Sequence, residues 1–299
     1  MHKKVQIGGH ELYLGKMEDT IGGIRQADHI LTDPPYLYIK THDFDKAWDE
    51  QFFFENAKRL LPDDGFIALF GRGTSFYRWN TRLAELGFVF KEEIVWEKRK
   101  TSGIAKSVAR VHETVSIHTK KAGLLRPSKI PYIEQRQYNF DSIEGDIRRI
   151  SNALNKPHGI EKLKKVIAEK KTELEFASRS RFGISFAKER MAHDSCCHRI
   201  FMIENGMLEK TIIQVGRTHY NGVHPTQKPV RLAERILALI SDPGDTIYDP
   251  FMGSGSFGVA CINTGRKYIG SEMNPEYFDV ACKRIKEAAA QESLFKEAV

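Results

Sequence analysis

The spacing of apolar and polar residues predicts alternating strands and helices over most of the chain. Residues 11–15 and 28–32 read as short strands, and the uninterrupted Phe66-Ile67-Ala68-Leu69-Phe70 reads as a strand buried on both faces. Between the last two, Phe53, Ala57, Leu60 and Leu61 recur at helical spacing over 49–61, and Pro62-Asp63-Asp64-Gly65 ends the helix. Strand, helix, strand makes a parallel β-α-β unit. A helix follows over 74–86, closed by Gly87, and 88–96 and 111–118 have the composition of an antiparallel pair at one edge of the sheet. Residues 20–26 read as a turn or short helix. Toward the C-terminus the pattern predicts an amphipathic helix at 230–240 and a turn at Pro243-Gly244-Asp245. After it come a strand opening at 246, the start of a helix at 257–262, a strand at 267–271, and a closing helix at 277–289 with a frayed end.

The periodicity breaks at 122. Up to 155 the residues are irregular and polar, with Tyr132, Tyr138 and Phe140 interleaved among Arg126, Lys129, Arg136, Arg148 and Arg149. An amphipathic basic helix then reads over 159–177, its apolar set formed by Ile160, Leu163, Val166, Ile167, Leu174 and Phe176. Residues 122–216 are therefore expected to be an insertion dividing an α/β domain into an N-terminal part, 1–121, and a C-terminal part, 217–299.

Composition narrows the class. With 299 residues, 41% of them hydrophobic, the chain can bury a sizeable core. No apolar run reaches the length of a membrane span and no signal-peptide pattern follows Met1, so a cytoplasmic location without membrane association is expected. Four cysteines do not make a disulfide framework in a chain this long. The net charge of +7 is concentrated in 98–110, 126–149 and 156–190, which suits a polyanionic partner such as nucleic acid, although lysine-rich helices also serve solubility.

Two loops at strand ends carry the candidate chemistry. Asp33-Pro34-Pro35-Tyr36 follows a strand directly, and its two prolines stop the strand and stiffen the loop, displaying Asp33 and Tyr36 at the edge where open α/β sheets bind ligands. Residues 246–258 form a strand-loop-helix unit in which Gly253, Gly255 and Gly258 satisfy G-x-G-x-x-G, and Glu272 ends the next strand, so a dinucleotide site has to be weighed. Asp249 opposes that reading. A carboxylate at the loop's mouth repels a pyrophosphate but suits a cationic ligand such as S-adenosylmethionine. Too little chain follows Thr246 for more than two further strands, so the rest of the sheet must come from upstream. A phosphate P-loop lacks its Gly-Lys-Ser/Thr, and His193, Cys196, Cys197 and His198 lack paired Cys-x-x-Cys spacing, so no metal is expected.

Asp33-Pro34-Pro35-Tyr36, then His224-Pro225-Thr226-Gln227-Lys228-Pro229, then Asp249-Pro250-Phe251-Met252-Gly253-Ser254-Gly255 together resemble the DNA amino-methyltransferases of the permuted group, whose catalytic motif precedes the cofactor motif. Val95-Trp96-Glu97-Lys98, His112-Glu113 and Glu272-Met273-Asn274-Pro275 extend the likeness, which covers roughly 12–118 and 223–284. It implies a Rossmann-like α/β fold with a mostly parallel twisted sheet, an antiparallel edge hairpin and a target-recognition region at 122–216. It also implies methyl transfer from S-adenosyl-L-methionine to an exocyclic amine of a base flipped out of double-stranded DNA. On this likeness Asp33 and the Pro34 carbonyl accept the amino hydrogens on the loop that Pro35 stiffens, and Tyr36 stacks on the base. Asp249 would hold the methionine ammonium, while Gly253, Ser254 and Gly255 admit the cofactor and Phe251 packs beside it. Glu272 would bind the ribose, and His224, Thr226 and Lys228 would lie on the methionine side. Asp at the head of the first motif favours adenine over cytosine. The run Leu14-Gly15-Lys16-Met17-Glu18-Asp19 departs from the family's usual Gly-Asp, which leaves the residue reading the cofactor's adenine unassigned. A homodimer, a partner restriction endonuclease and the DNA target sequence stay open, as do a non-catalytic DNA-binding protein and a nicotinamide-dependent oxidoreductase as rivals from other classes.

Overall fold

The computed structural model describes residues 3–36, 47–98, 110–137, 139–154, 199–216 and 227–297. Its strands are β1 (Lys3–Ile7), β2 (His10–Leu14), β3 (His29–Thr32), β4 (Phe66–Gly71), β5 (Val89–Glu97), β6 (His112–Thr119), β7 (Lys129–Ile130), β8 (Met207–Leu208), β9 (Ile212–Gln214), β10 (Thr246–Asp249) and β11 (Lys267–Glu272). Nine of them form one sheet in the order β1-β2-β11-β10-β3-β4-β6-β5-β9. The five strands from β2 to β4 are mutually parallel, whereas β1 and β6 run antiparallel to their neighbours. The strands latest in the sequence thus lie at the middle of the sheet.

Alternation along the strands builds a core on each face. Phe66, Ala68 and Phe70 of β4, Leu31 of β3 and Ile247 of β10 pack with the helices Val230–Ile240, Ser256–Asn263 and Pro275–Glu297. Ile67 and Leu69, Ile30 and Tyr248 face the other way, against the helices Glu50–Leu60 and Gly73–Glu85, where Phe53, Phe54 and Trp79 are fully buried. The period-2 pattern is what a parallel sheet covered on both faces requires. Local chemistry sets the helix ends: Asp49 caps the first turn of Glu50–Leu60 by accepting from Phe52 N at 2.9 Å, and Gly87 adopts φ 85° behind Gly73–Glu85.

Several expectations need correction. The antiparallel pair β5–β6 is not the edge of the sheet, because β9 adds in parallel outside β5 through Val95↔Ile212 to Glu97↔Gln214. An extra hairpin, β1–β2, forms around Gly8-Gly9 where no strand was expected at 3–7. The closing helix runs to Glu297 rather than fraying after 289. Residues 140–154 are helical (Phe140–Leu154), although the pattern there is irregular, and Phe140 and Ile147 are exposed.

The chain divides into two compact units, Met1–Ser128 with Lys210–Val299, and Lys129–Glu209. The second is shorter at both ends than the segment 122–216. Residues 122–128 and 210–216 belong to the first unit because Ala122 N donates to Asp63 O (3.1 Å), Arg126 N donates to Leu239 O (2.8 Å) and β9 joins the main sheet. Within the second unit Asp146, 1% exposed, accepts from Tyr132, Arg136, Arg149 and Arg199. The helix expected at 159–177 lies outside the described residues, as do Tyr138 and the cluster His193, Cys196, Cys197 and His198. Among the described residues no helix is long and apolar enough to cross a membrane, and no group of His, Cys, Asp and Glu could hold a metal ion.

Candidate active site

β10 and β3 are parallel neighbours whose chains leave in opposite directions along the sheet, β10 toward β11 and β3 toward β4. Such a divergence opens a crevice at the C-terminal strand ends, which is where doubly wound sheets bind ligands. Asp249 ends β10 and Asp33 immediately follows β3, so two carboxylates flank the crevice.

Asp249 is 1% exposed. Its Oδ1 accepts from the Thr32 hydroxyl at 2.9 Å and from Phe251 N at 3.1 Å, and its Oδ2 accepts from the Tyr268 hydroxyl at 3.0 Å. All three donors are neutral, and burial pushes the carboxyl up to about 7. Behind it Gly255, at φ 77°, caps the Ser256–Asn263 helix without any side-chain cap, leaving the first-turn N–H groups unclaimed by a capping side chain. A Cβ at Gly258 would stand 2.6 Å from Ile285 and 2.8 Å from Tyr268, so only glycine permits this helix to sit against its neighbours. Glu272 accepts from Gly253 N and Asn274 N, each at 2.8 Å, and burial raises its carboxyl in spite of those bonds. Ser254 is buried, and Arg284 Nη1 donates to its carbonyl at 2.5 Å and its hydroxyl at 3.0 Å. The glycine loop is therefore held from both sides by charged side chains.

On the other side of the crevice the Tyr36 hydroxyl donates to Asp33 Oδ1 and the Lys228 ammonium to Asp33 Oδ2. Lys228 also stands 3.3 Å from Glu113 Oε2, and Lys98 binds Glu113 Oε1. Two carboxylates and two ammoniums, all mostly buried, form one line from β5 and β6 to the proline loop. Burial works against the charge of Glu113, but Lys228 and Lys98 outweigh it and hold the carboxyl at about 2. At Lys228 the two carboxylates likewise overcome burial and raise the ammonium. Asp33 is raised, because burial and the nearby Glu113 outweigh Lys228.

Lys228, expected near a methionine carboxylate, has Asp33 and Glu113 as its protein partners, because a buried ammonium is drawn to the carboxylates within reach. His224 and Thr226 lie outside the described residues. Phe251 packs edge-on against Trp48, with ring centroids 5.0 Å apart, and near Phe53 at 6.2 Å. Sequence reasoning missed Trp48, whose indole N–H donates to Pro35 O at 3.1 Å and whose ring lies 5.6 Å from Trp79. The available signal was a lone tryptophan directly before a helix cap. It also missed Thr32, which ties the end of β3 to Asp249, and the partnership of Glu113 with Lys228.

Known proteins share this architecture. The M1.HpyAVI–SAM complex superposes with a TM-score of 0.56 at 22% identity, covering 91% of this chain and 98% of that one. The cytosine-N4-specific PvuII DNA methyltransferase gives 0.56 at 14% identity over 97% and 95%, and both likenesses establish the Rossmann-like methyltransferase fold. In sequence, a 66-residue stretch is 47% identical to DNA adenine methyltransferase YhdJ of Escherichia coli (strain K12), covering 22% of each chain. Another of 77 residues is 38% identical to Type II methyltransferase M.Cfr9I of Citrobacter freundii, covering 26% of each. These matches span about a quarter of the relatives' lengths. The DNA methylase family model matches residues 27–283, from the strand before Asp33 to beyond Glu272, and the chain belongs to that family.

Proposed function

We propose that this chain is a sequence-specific DNA methyltransferase that uses S-adenosyl-L-methionine to methylate the exocyclic amine of adenine. The observation that carries the reading is the pair of carboxylates, Asp249 and Asp33, on neighbouring central strands at the mouth of one crevice. One suits the ammonium of a methyl donor and the other an amine that must be activated.

The residues fit the donor. Asp249 offers a buried carboxylate whose hydrogen-bond partners are neutral, so a ligand ammonium would complete its charge balance. The uncapped N-terminus of Ser256–Asn263 suits a carboxylate, and Glu272 has the end-of-strand position suited to ribose hydroxyls. When bound, S-adenosylmethionine supplies an electrophilic methyl group on a sulfonium. Asp33 and the Pro34 carbonyl accept the two amino hydrogens, turning the nitrogen's lone pair out of conjugation and toward that methyl. Asp33 would take the proton that the nitrogen gives up, while the methyl donor would supply the methyl group and leave as a neutral thioether. Tyr36, half-buried beside Trp79 and fixed by its bond to Asp33, offers a face to a base rotated out of the duplex.

Support for adenine is the Asp at position 33, since resemblance associates serine there with cytosine, and one relative is named as an adenine methyltransferase. The basic residues of 129–209 suit DNA phosphates, and we assign that unit to target recognition. Incubation with S-adenosylmethionine and unmethylated genomic DNA, followed by digestion to nucleosides and mass analysis, should yield N6-methyladenine. N4-methylcytosine would overturn the base assignment, and no methylated base would overturn the activity. Calorimetry should show binding of S-adenosylhomocysteine and none of NAD.

A further inference from the structure

Asp33 has both carboxylate oxygens engaged, Oδ1 by the Tyr36 hydroxyl and Oδ2 by the Lys228 ammonium. An amine approaching Asp33 must displace one of them. Lys228 is 7% exposed, with its ammonium 5.2 Å from the Phe70 ring centroid, so it has no route to bulk water at low cost. Glu113 is the other carboxylate near it, 3.3 Å away at Oε2, and that oxygen is buried and has no well-aligned hydrogen bond among the described residues. Its companion, Oε1, is tied down by Lys98, which is itself 6% exposed and lies 5.0 Å from the Trp96 ring centroid. Glu113 is therefore anchored at Oε1, while its Oε2 stands in ion-pair range of Lys228 without a hydrogen bond of good geometry.

We propose that Glu113 is a positioning residue that provides a second seat for Lys228. When the target amine donates to Asp33, the ammonium slides from Asp33 Oδ2 to Glu113 Oε2, and Lys98 holds Glu113 in place to receive it. Net charge in the cluster does not change during the shift: the ammonium keeps a carboxylate partner, and Asp33 keeps hydrogen bonds from Tyr36 and from the amine. Without the Glu113 carboxylate, releasing Asp33 would strand a buried ammonium, and Lys228 would stay where it caps the catalytic group. This inference rests on the methyl-transfer reading for what displaces Lys228, while the motion itself can be tested without catalysis.

The structural test uses Asp33→Asn in the full chain, whose side-chain amide presents a donor where an incoming amine would be and removes the charge that holds Lys228. A crystal structure of this variant should show Lys228 Nζ hydrogen-bonded to Glu113 Oε2 and withdrawn to beyond about 4 Å from the residue-33 side chain, where the parent has it in contact with both. An ammonium turned to solvent, or left in place, would overturn the proposal whether or not the protein methylates DNA. The kinetic test compares Glu113→Gln, Lys228→Met and the double variant by single-turnover transfer of tritiated methyl from S-adenosylmethionine to unmethylated genomic DNA. Glu113→Gln should slow transfer about 100-fold with S-adenosylhomocysteine affinity within about twofold of the parent. Adding Lys228→Met should recover at least about tenfold of that loss, because nothing then caps Asp33. A double variant as slow as Glu113→Gln, or slower, would overturn the proposal, as would a Glu113→Gln enzyme of parental speed. A parent protein that transfers no methyl at all would instead refute the proposed function and leave the crystallographic test decisive for Lys228.

Discussion

Asp249 is buried and Glu113 mostly so, both on the same sheet, yet their surroundings push the two carboxyls in opposite directions. Neutral donors surround Asp249, and burial lifts it to about 7; two ammoniums face Glu113, and they hold it at about 2. What separates them is where the cation comes from. The side reached from β3, β5 and β6 carries its own positive charges in Lys98 and Lys228, whereas the acid at the end of β10 has only neutral donors around it. On the proposed function the contrast separates two roles in one crevice: the closed ionic cluster would organise a reacting group, and the unbalanced acid would select a cationic ligand.

The sharpest way to break the comparison is to remove the acid on each side. Asp33→Ala should abolish methyl transfer, by about 1,000-fold or more, while S-adenosylhomocysteine affinity measured by calorimetry stays within about twofold. Equal loss of cofactor affinity would show that the sides are not independent. Asp249→Ala should weaken S-adenosylhomocysteine binding by about 30- to 100-fold, the effect of losing a charge-assisted contact in a buried site. Milder is the pH dependence. Because Asp249 must be ionised to bind an ammonium and its carboxyl stands near 7, affinity should rise about tenfold from pH 6 to pH 8. A flat profile would mean that Asp249 is ionised throughout, or does not touch the ligand. The smallest effect is on the free protein. The folded state holds the Asp249 proton between roughly pH 4 and 7 and the unfolded chain does not, so ionising this acid costs stability as pH rises toward and through 7. Asp249→Asn removes that cost, of about 2–4 kcal/mol at most, so its melting temperature relative to the parent should be higher at pH 8 than at pH 5.

Much of the fold was legible because its signals are local. The apolar run at 66–70, the strand stopped by Pro34-Pro35 and the amphipathic 230–240 each announce themselves within a dozen residues, and the structure has β4, β3 and a helix at Val230–Ile240 there. Too few residues after Thr246 implied that the sheet is completed from upstream, and the pairing of β10 with β3 bears this out. Less local features were not readable. The β1 strand has only partly buried Val5 and Ile7, and its one cue was the Gly8-Gly9 turn. Helix Phe140–Leu154 leaves Phe140 and Ile147 exposed, which blurs its period. Position 228 shows the limit most clearly: a lysine in a motif says that a charge matters, but not which of several acids, up to 195 residues away, will receive it.

Placing β10 and β11 in the middle of the sheet also governs how the molecule is made. On the ribosome β3 and β4 emerge early and can pair with each other, but the strand that flanks β3 on its other side is synthesised more than 200 residues later. Until then β3 has an exposed edge and Thr32 lacks its partner Asp249. Closure of the sheet is a long-range event that must wait for the segment carrying β10 and β11, so the protein should fold slowly for its size and depend on assistance while nascent. A premature stop before Thr246 would remove the centre of the sheet and leave two separated flanks unable to form a crevice.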